Sequence, residues 1–152
     1  MRIGLVVGVA LAVACATPRK RSAGPATSGI KLAVLPAESA KFPTAAHALT
    51  DSLTKASVPG VDKTEVSKVS LEVVQLSIEC LEPSVKCYEA VGKSLAANRL
   101  LFAQLSGRSK KLEVTVTLFD VDARAPKTAH KTFASEKEAA AGVADLVAEA
   151  TR

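Results

Sequence analysis

Three cysteines, two histidines and a pair of neighbouring aspartates are the residues whose types and spacing could do chemistry in this chain. Cys80 and Cys87 are seven apart, with Pro83 between them. On one unbroken helix seven residues rise about 10.5 Å, beyond the ~6.8 Å that a disulfide spans between Cα atoms. Pro83 ends a helix and lets the chain fold back. A Cys80–Cys87 disulfide is therefore expected in an oxidising compartment, with two buried free thiols as the alternative. The spacing is not C-x2-C and no His lies nearby, so the pair does not suggest a zinc site, which wants four ligands. His47 and His130 belong to no nucleophile motif. His47 and Asp51 are four apart, close enough to pair on a helix or to sit side by side in solvent. Asp120 and Asp122 lack the Gly and the distal Glu of a calcium loop, and suit a turn held by aspartate side chains. There is no G-x-S-x-G, no P-loop and no H-E-x-x-H. No catalytic residue, metal ligand, cofactor or small-molecule substrate is assigned. The expectation is a protein that is not an enzyme; the alternative is an enzyme whose site carries no recognisable motif.

Cys15 has a different setting. Met1-Arg2 gives a short positive start, and residues 3–14 (IGLVVGVALAVA) are all uncharged and apolar or Gly. Twelve residues are too few for the ~20 that span a bilayer, but suit the apolar core of a signal peptide. Ala12-Val13-Ala14 offers small residues for cleavage directly before Cys15. The run resembles the bacterial lipobox, whose Cys becomes the lipidated first residue of the mature protein. Leu11 stands four places before Cys15 where the lipobox has its Leu at three, which keeps plain secretion as the alternative. The expected organisation is a signal peptide at 1–14, a lipidated Cys and tether at 15–29, and one domain at 30–152. Residues 16–29 (ATPRKRSAGPATSG) show no apolar period, and as a coil would span about 20 Å. Arg19-Lys20-Arg21 would lie near anionic headgroups or simply be solvated.

Charge placement argues against a nucleic-acid partner. Four of the 20 Lys and Arg, namely Arg2, Arg19, Lys20 and Arg21, precede residue 30, which leaves 16 against 15 Asp and Glu in the domain. A nucleic-acid binder carries a basic face on its folded part. Aromatic residues make up only 3% of the chain, so the stacking platforms used on single strands are missing as well.

The elements that must position these residues follow from periodicity. Residues 30–35 (IKLAVL) read as a buried strand. Residues 42–57 read as a helix with Phe42, Ala45, Ala46, Leu49, Leu53 and Ala56 on one face. Residues 57–61 read as a turn or second strand. Asp62 and Glu65 have capping-box spacing and predict a helix with two apolar stripes. Val66, Val69, Val73, Leu76 and Cys80 form one stripe; Leu71, Val74, Ile78 and Leu81 form the other. Such a helix would be packed on two sides. Ser84 caps a further helix carrying Val85, Tyr88, Val91 and Leu95. Residues 99–106 predict a strand covered on both faces, and Gly107-Arg108-Ser109 a turn. Leu112, Val114, Val116 and Leu118 alternate as a strand with one buried face. Residues 127–133 predict a polar edge strand, and Ser135 with Glu138 caps a last helix through Ala139, Val143, Leu146 and Ala150. The order β-α-(β)-α-α-β-β-β-α specifies an α/β (α+β) fold with a mixed sheet of about 4–5 strands and helices packed on it.

A family resemblance rests on LAVLP at the start, ALTDSL in the first helix, and CLEPSVKCYEAVGKSLAANRLLFAQL followed by LEVTVTLFDVDA. These segments resemble the domain shared by the N-terminal part of TolB, CsgG-type lipoproteins and LpoB-type regulators of cell-wall synthases. The resemblance covers about residues 31–151 and is structural, not catalytic. It implies envelope location, no cofactor, and work done by binding other envelope proteins. The chain has no propeller blades after the domain, no insertion long enough for membrane hairpins, and only a short tether. The expected place is the bacterial envelope, lipid-anchored at the outer membrane and facing the periplasm. The expected partner surface is the polar edge strand, through Thr128, His130 and Thr132, because an edge can accept a strand from a partner; the alternative is an edge that its polar and Lys residues only protect from pairing.

Overall fold

A computed structural model describes residues 29–80, 82–108 and 111–152. The expected signal peptide, Cys15 and the tether up to residue 28 lie outside them, as do Leu81 and Ser109. Among the described residues nine elements follow in the expected order: β1 (Lys31–Val34), α1 (Pro43–Thr54), β2 (Lys63–Val66), α2 (Leu71–Ser77), α3 (Val85–Ser94), β3 (Arg99–Arg108), β4 (Lys111–Asp120), β5 (Ala125–Phe133) and α4 (Glu136–Thr151). They build one five-stranded mixed sheet in the order β2-β1-β3-β4-β5. β2, β1 and β3 are parallel, while β3, β4 and β5 form an antiparallel meander.

The crossovers decide which face each helix covers. From β1 the chain moves one way to β2 through α1; from β2 it moves back past β1 to β3 through α2 and α3. Parallel crossovers keep one hand, so opposite directions put α1 and the α2–α3 pair on opposite faces. Two cores result. Leu32, Val34, Leu101, Leu112, Val114 and Val116 pack against Leu49 and Leu53 of α1 and Val143, Leu146 and Val147 of α4. Ala33, Leu100, Phe102 and Phe119 pack on the other face against Leu71, Val74 and Val91. The consecutive Leu100, Leu101 and Phe102 are buried because the helices cover both faces of β3.

α1 begins at Pro43 with Phe42 as N-cap and no side-chain cap bond of its own. The cap comes from the other end of the domain, where Glu136 Oε1 accepts from Thr44 N at 2.6 Å and Ala45 N at 3.1 Å. A carboxylate there satisfies orphan donors and meets the positive end of the helix dipole. α4 has the expected cap, with Ser135 Oγ accepting from Glu138 N at 3.2 Å, while Glu138 reaches Ala134 N at 2.9 Å.

The stretch between α1 and α2 corrects the sequence reading. The second strand is Lys63–Val66, not residues 57–61. Asp62 caps no helix; its Oδ2 accepts from Ile30 N at 2.7 Å and fixes the parallel entry of β2 beside β1. The helix starts only after Ser70. Its two stripes are not both packed: Leu71 and Val74 are buried, while Val69, Val73 and Leu76 are 39%, 43% and 64% exposed. Val66 and Val85, expected on packed helix sides, are exposed as well. Two further readings shift. Gly107 and Arg108 belong to β3, which pairs with β4 as far as Arg108 with Lys111. β4 has one buried face only in its first half, because Thr117 and Phe119 are buried under the α2–α3 layer.

Candidate functional site

The sequence-predicted residues separate into three places. Cys80 follows α2 and Cys87 lies in the first turn of α3, with Cα atoms 5.7 Å apart, inside the range a disulfide needs. Glu79 takes a positive φ of 56° where the chain turns back, and Cys80 N donates to Gln75 O at 2.8 Å. Ser84 caps α3 by accepting from Cys87 N at 3.2 Å, which aims the Cys87 side chain inward. The buried Gln75 amide donates to Cys87 Sγ at 3.2 Å. The pair therefore sits where it would tie the end of α2 to the start of α3.

His47 and Asp51 are both exposed on α1, and no ion pair between them occurs among the described residues. Asp120 and Asp122 behave as turn residues. Asp120 Oδ1 accepts from Ala123 N at 2.8 Å, and Asp122 Oδ2 accepts from Asn98 Nδ2 at 3.3 Å. Among the described residues no group of three or more His, Cys, Asp or Glu is arranged to hold a metal ion. The strongest charge cluster lies on α3. Glu89 meets Lys93 at 2.5 Å and Arg124 at 2.9 Å. The Lys93 hydrogen bond, then that of Arg124, holds the Glu89 carboxyl below its ordinary pKa. Burial, helped by the charge of Glu72, raises the phenol of Tyr88.

The third place is a surface. The α2–α3 layer covers β1, β3 and one end of β4, but leaves the other half of that sheet face open. By strand alternation, Gln104 and Ser106 continue the face of Leu100 and Phe102, while Thr115 and Glu113 continue that of Phe119 and Thr117. The β4–β5 register sets Thr128 beside Thr117, His130 beside Thr115 and Thr132 beside Glu113. Thr128, His130 and Thr132 therefore share this face, and all three are exposed. Gln104, Thr115 and His130 form one row across three strands, and Ser106, Glu113 and Thr132 the next. Ser106 Oγ lies 3.3 Å from Glu113 Oε2 within that second row. Ala129 and Phe133 point the other way, into the α1–α4 core. β5 is the outer strand of the sheet, so among the described residues nine residues of backbone present a free edge.

Comparison with known families and with curated proteins finds no match. Three solved structures are similar to the chain. The LpoB C-terminal domain from Salmonella enterica aligns with 15% identity and a TM-score of 0.44, covering 69% of this chain and 82% of that one. The LpoB C-terminal domain from Escherichia coli aligns with 16% identity and a TM-score of 0.42, covering 73% and 87%. TolB from Acinetobacter baumannii aligns with 16% identity and a TM-score of 0.39, covering 80% of this chain and 28% of that one. LpoB and TolB, named from the sequence motifs, are thus both among its structural neighbours.

A groove of about 630 Å³ runs between the C-terminal ends of α1 and α4, lined by Asp51, Ala56, Pro59, Val147, Ala148 and Thr151 among others. It is mainly apolar, with Asp51, Ser52, Lys55 and Ser57 at its rim; Ser52 Oγ donates to Ala48 O at 2.8 Å, within its own helix. The sequence reading missed two features: the second free edge, at β2, and the exposed apolar side of α2. The alternation of Lys63, Thr64, Glu65 and Val66 was a faint strand signal, hidden by the capping-box spacing it overlaps.

Proposed function

We propose that this chain is a bacterial envelope lipoprotein, held through a lipid on Cys15, that works without catalysis by receiving an extended segment of an envelope partner at the β5 edge. The leader 1–14 and tether 15–29 supply the address, and a short tether keeps the domain close to its membrane. The observation that carries the binding role is the nine-residue free edge of β5 beside the open polar rows of Thr128, His130 and Thr132. An incoming strand would gain backbone hydrogen bonds along the edge and side-chain contacts on alternate positions. Lys127 and Lys131 protect the same edge from indiscriminate pairing. Polar rows favour a partner segment with alternating polar residues over an apolar one.

Two measurements test the two halves. Labelled fatty acid enters the wild-type chain and not Cys15→Ser; equal labelling overturns the anchor. A photo-crosslinking residue at His130 or Thr132 captures an envelope protein in intact cells, whereas the same residue at the exposed Lys137 of α4 does not. Identical adducts at all three positions, or none at 130 and 132, overturn the β5 site.

A further inference from the structure

The second free edge, β2, is self-complementary, and we infer that two copies of this chain pair there, antiparallel, to form one ten-stranded sheet with Thr64 on the twofold axis. Backbone geometry restricts the choices first. Asp62 N, just before the strand, donates to Ile30 O at 2.9 Å, Lys63 N to the same oxygen at 3.3 Å and Ser67 N to Val34 O at 2.8 Å, so within β2 the odd-numbered residues direct their backbone groups at β1. Thr64 and Val66 lie between them and direct their N–H and C=O at the open side. A second β2 must therefore set even positions against even positions.

Charge separates the registers that remain, and an axis through Val66 would set Glu65 against Ser67 with no opposite charge to meet. A twofold axis through Lys63 sets two lysines opposite one another, and an axis through Glu65 sets two glutamates opposite. An axis through Thr64 sets each Lys63 against the Glu65 of the other copy, twice. These become non-hydrogen-bonded pairs, whose Cα atoms approach to about 4.5 Å and whose side chains lie closest. All four β2 residues are exposed, and Lys63 makes no ion pair among the described residues. Glu65 already meets Lys31 at 2.8 Å, and Lys31 and Lys63 are register neighbours on that face. One carboxylate thus stands beside two lysines in a single copy, and the pairing places each Glu65 between the Lys31 of its own copy and the Lys63 of the other.

The axis also explains the exposed side of α2. A twofold normal to the sheet keeps the α2–α3 layers of both copies on the same side. α2 follows β2 directly, while α3 leads into β3. Val69, Val73 and Leu76, exposed in one copy, follow β2 in the chain and would lie on the same side of the joined sheet as their counterparts in the other copy. This inference does not depend on the anchor or on the β5 site.

The test is the association state of the full chain in detergent, by sedimentation equilibrium. Wild type sediments as a dimer. Lys63→Glu creates opposed like charges and weakens association roughly tenfold, since two cross-strand pairs change sign. The swap Lys63→Glu/Glu65→Lys restores it. Thr64→Pro removes an outward donor without touching the β1 ladder, so it keeps the circular dichroism of wild type and loses the dimer. Oxidised Thr64→Cys links two copies, because a hydrogen-bonded antiparallel pair lies ~5.5 Å apart, and wild type oxidised in parallel does not. A wild-type monomer across the accessible concentration range overturns the inference. So does a dimer that both Lys63→Glu and Thr64→Pro leave intact, or a swap that fails to restore what Lys63→Glu loses.

Discussion

At the scale of single residues, the chemistry of this domain is used to hold elements together. Glu89 shows it: one carboxylate ties Lys93 on its own helix to Arg124 in the turn before β5, which has a positive φ of 54°. Its pKa is held below the ordinary value when folded, so the sign of the linkage is fixed. The contribution is fully present above the unfolded Glu pKa of about 4.3 and is lost as pH falls through the lower folded value. Urea midpoints of wild type and Glu89→Gln should therefore differ at neutral pH and converge in acid; a difference that persists at pH 2 would assign the effect to packing instead. The Cys80–Cys87 bond remains a proposal at the same scale. Mass mapping without reduction should find the linked peptide, and Cys80→Ser/Cys87→Ser should lose about 2.5 kcal/mol in the chain-entropy account of so short a loop. Free thiols at both positions in protein isolated from envelopes would refute the bond.

At the scale of elements, the domain depends on a few close approaches. Gly92 of α3 lies under Val121, so that a Cβ added there would collide with the Val121 methyl groups. Both are held inside the smaller core, with Val121 only 6% exposed. Gly92→Ala should destabilise by about 1–3 kcal/mol through overpacking, despite the better helix propensity of Ala. Denaturant titration checks the value, and Gly92→Ala/Val121→Ala should cost less than the two single changes added together. Additive costs would mean that helix and turn can move apart freely. The same reasoning accounts for the late start of α2. A parallel strand beside β1 gains a ladder and the Asp62–Ile30 bond, and this outweighs one turn of helix with two exposed valines.

At the scale of the whole molecule, the two faces of the sheet are unequal. α1 and α4 lie along one face and share a continuous core with four strands. The other face has a short α2 and a ten-residue α3 over half its area. Stability should follow that asymmetry. Amides of α2 should exchange with solvent about 100-fold faster than those at the centre of β3, because local opening costs least where few apolar contacts are lost. Hydrogen exchange followed by mass spectrometry reads this directly. Uniform protection across the chain would mean that α2 opens only with the rest of the domain. The two outer strands differ in the same way: β5 sends Ala129 and Phe133 into the main core, while β2 is exposed along its whole length.

Much of this arrangement was legible in the residues. Alternation marked β4, the run of apolar residues marked β3 as covered on both sides, and Ser84 and Ser135 marked the starts of α3 and α4. These signals are local: each depends on side chains within a turn or a strand of one another. The polar character of residues 127–133 identified β5 as an edge, because a central strand cannot carry so many polar groups. Tertiary structure decided the rest. Asp62 and Glu65 carry a capping pattern that the chain does not use, since their partners, Ile30 just before β1 and Lys31 at its start, lie more than thirty positions away. Separation along the chain also hides the cap that Glu136 gives to α1, 92 positions from Thr44, and the pairing of Glu89 with Arg124, 35 positions away. The exposed side of α2 was unreadable for a further reason. An apolar stripe records only that burial would be favourable, while whether this chain or another copy provides the cover depends on where the sheet ends.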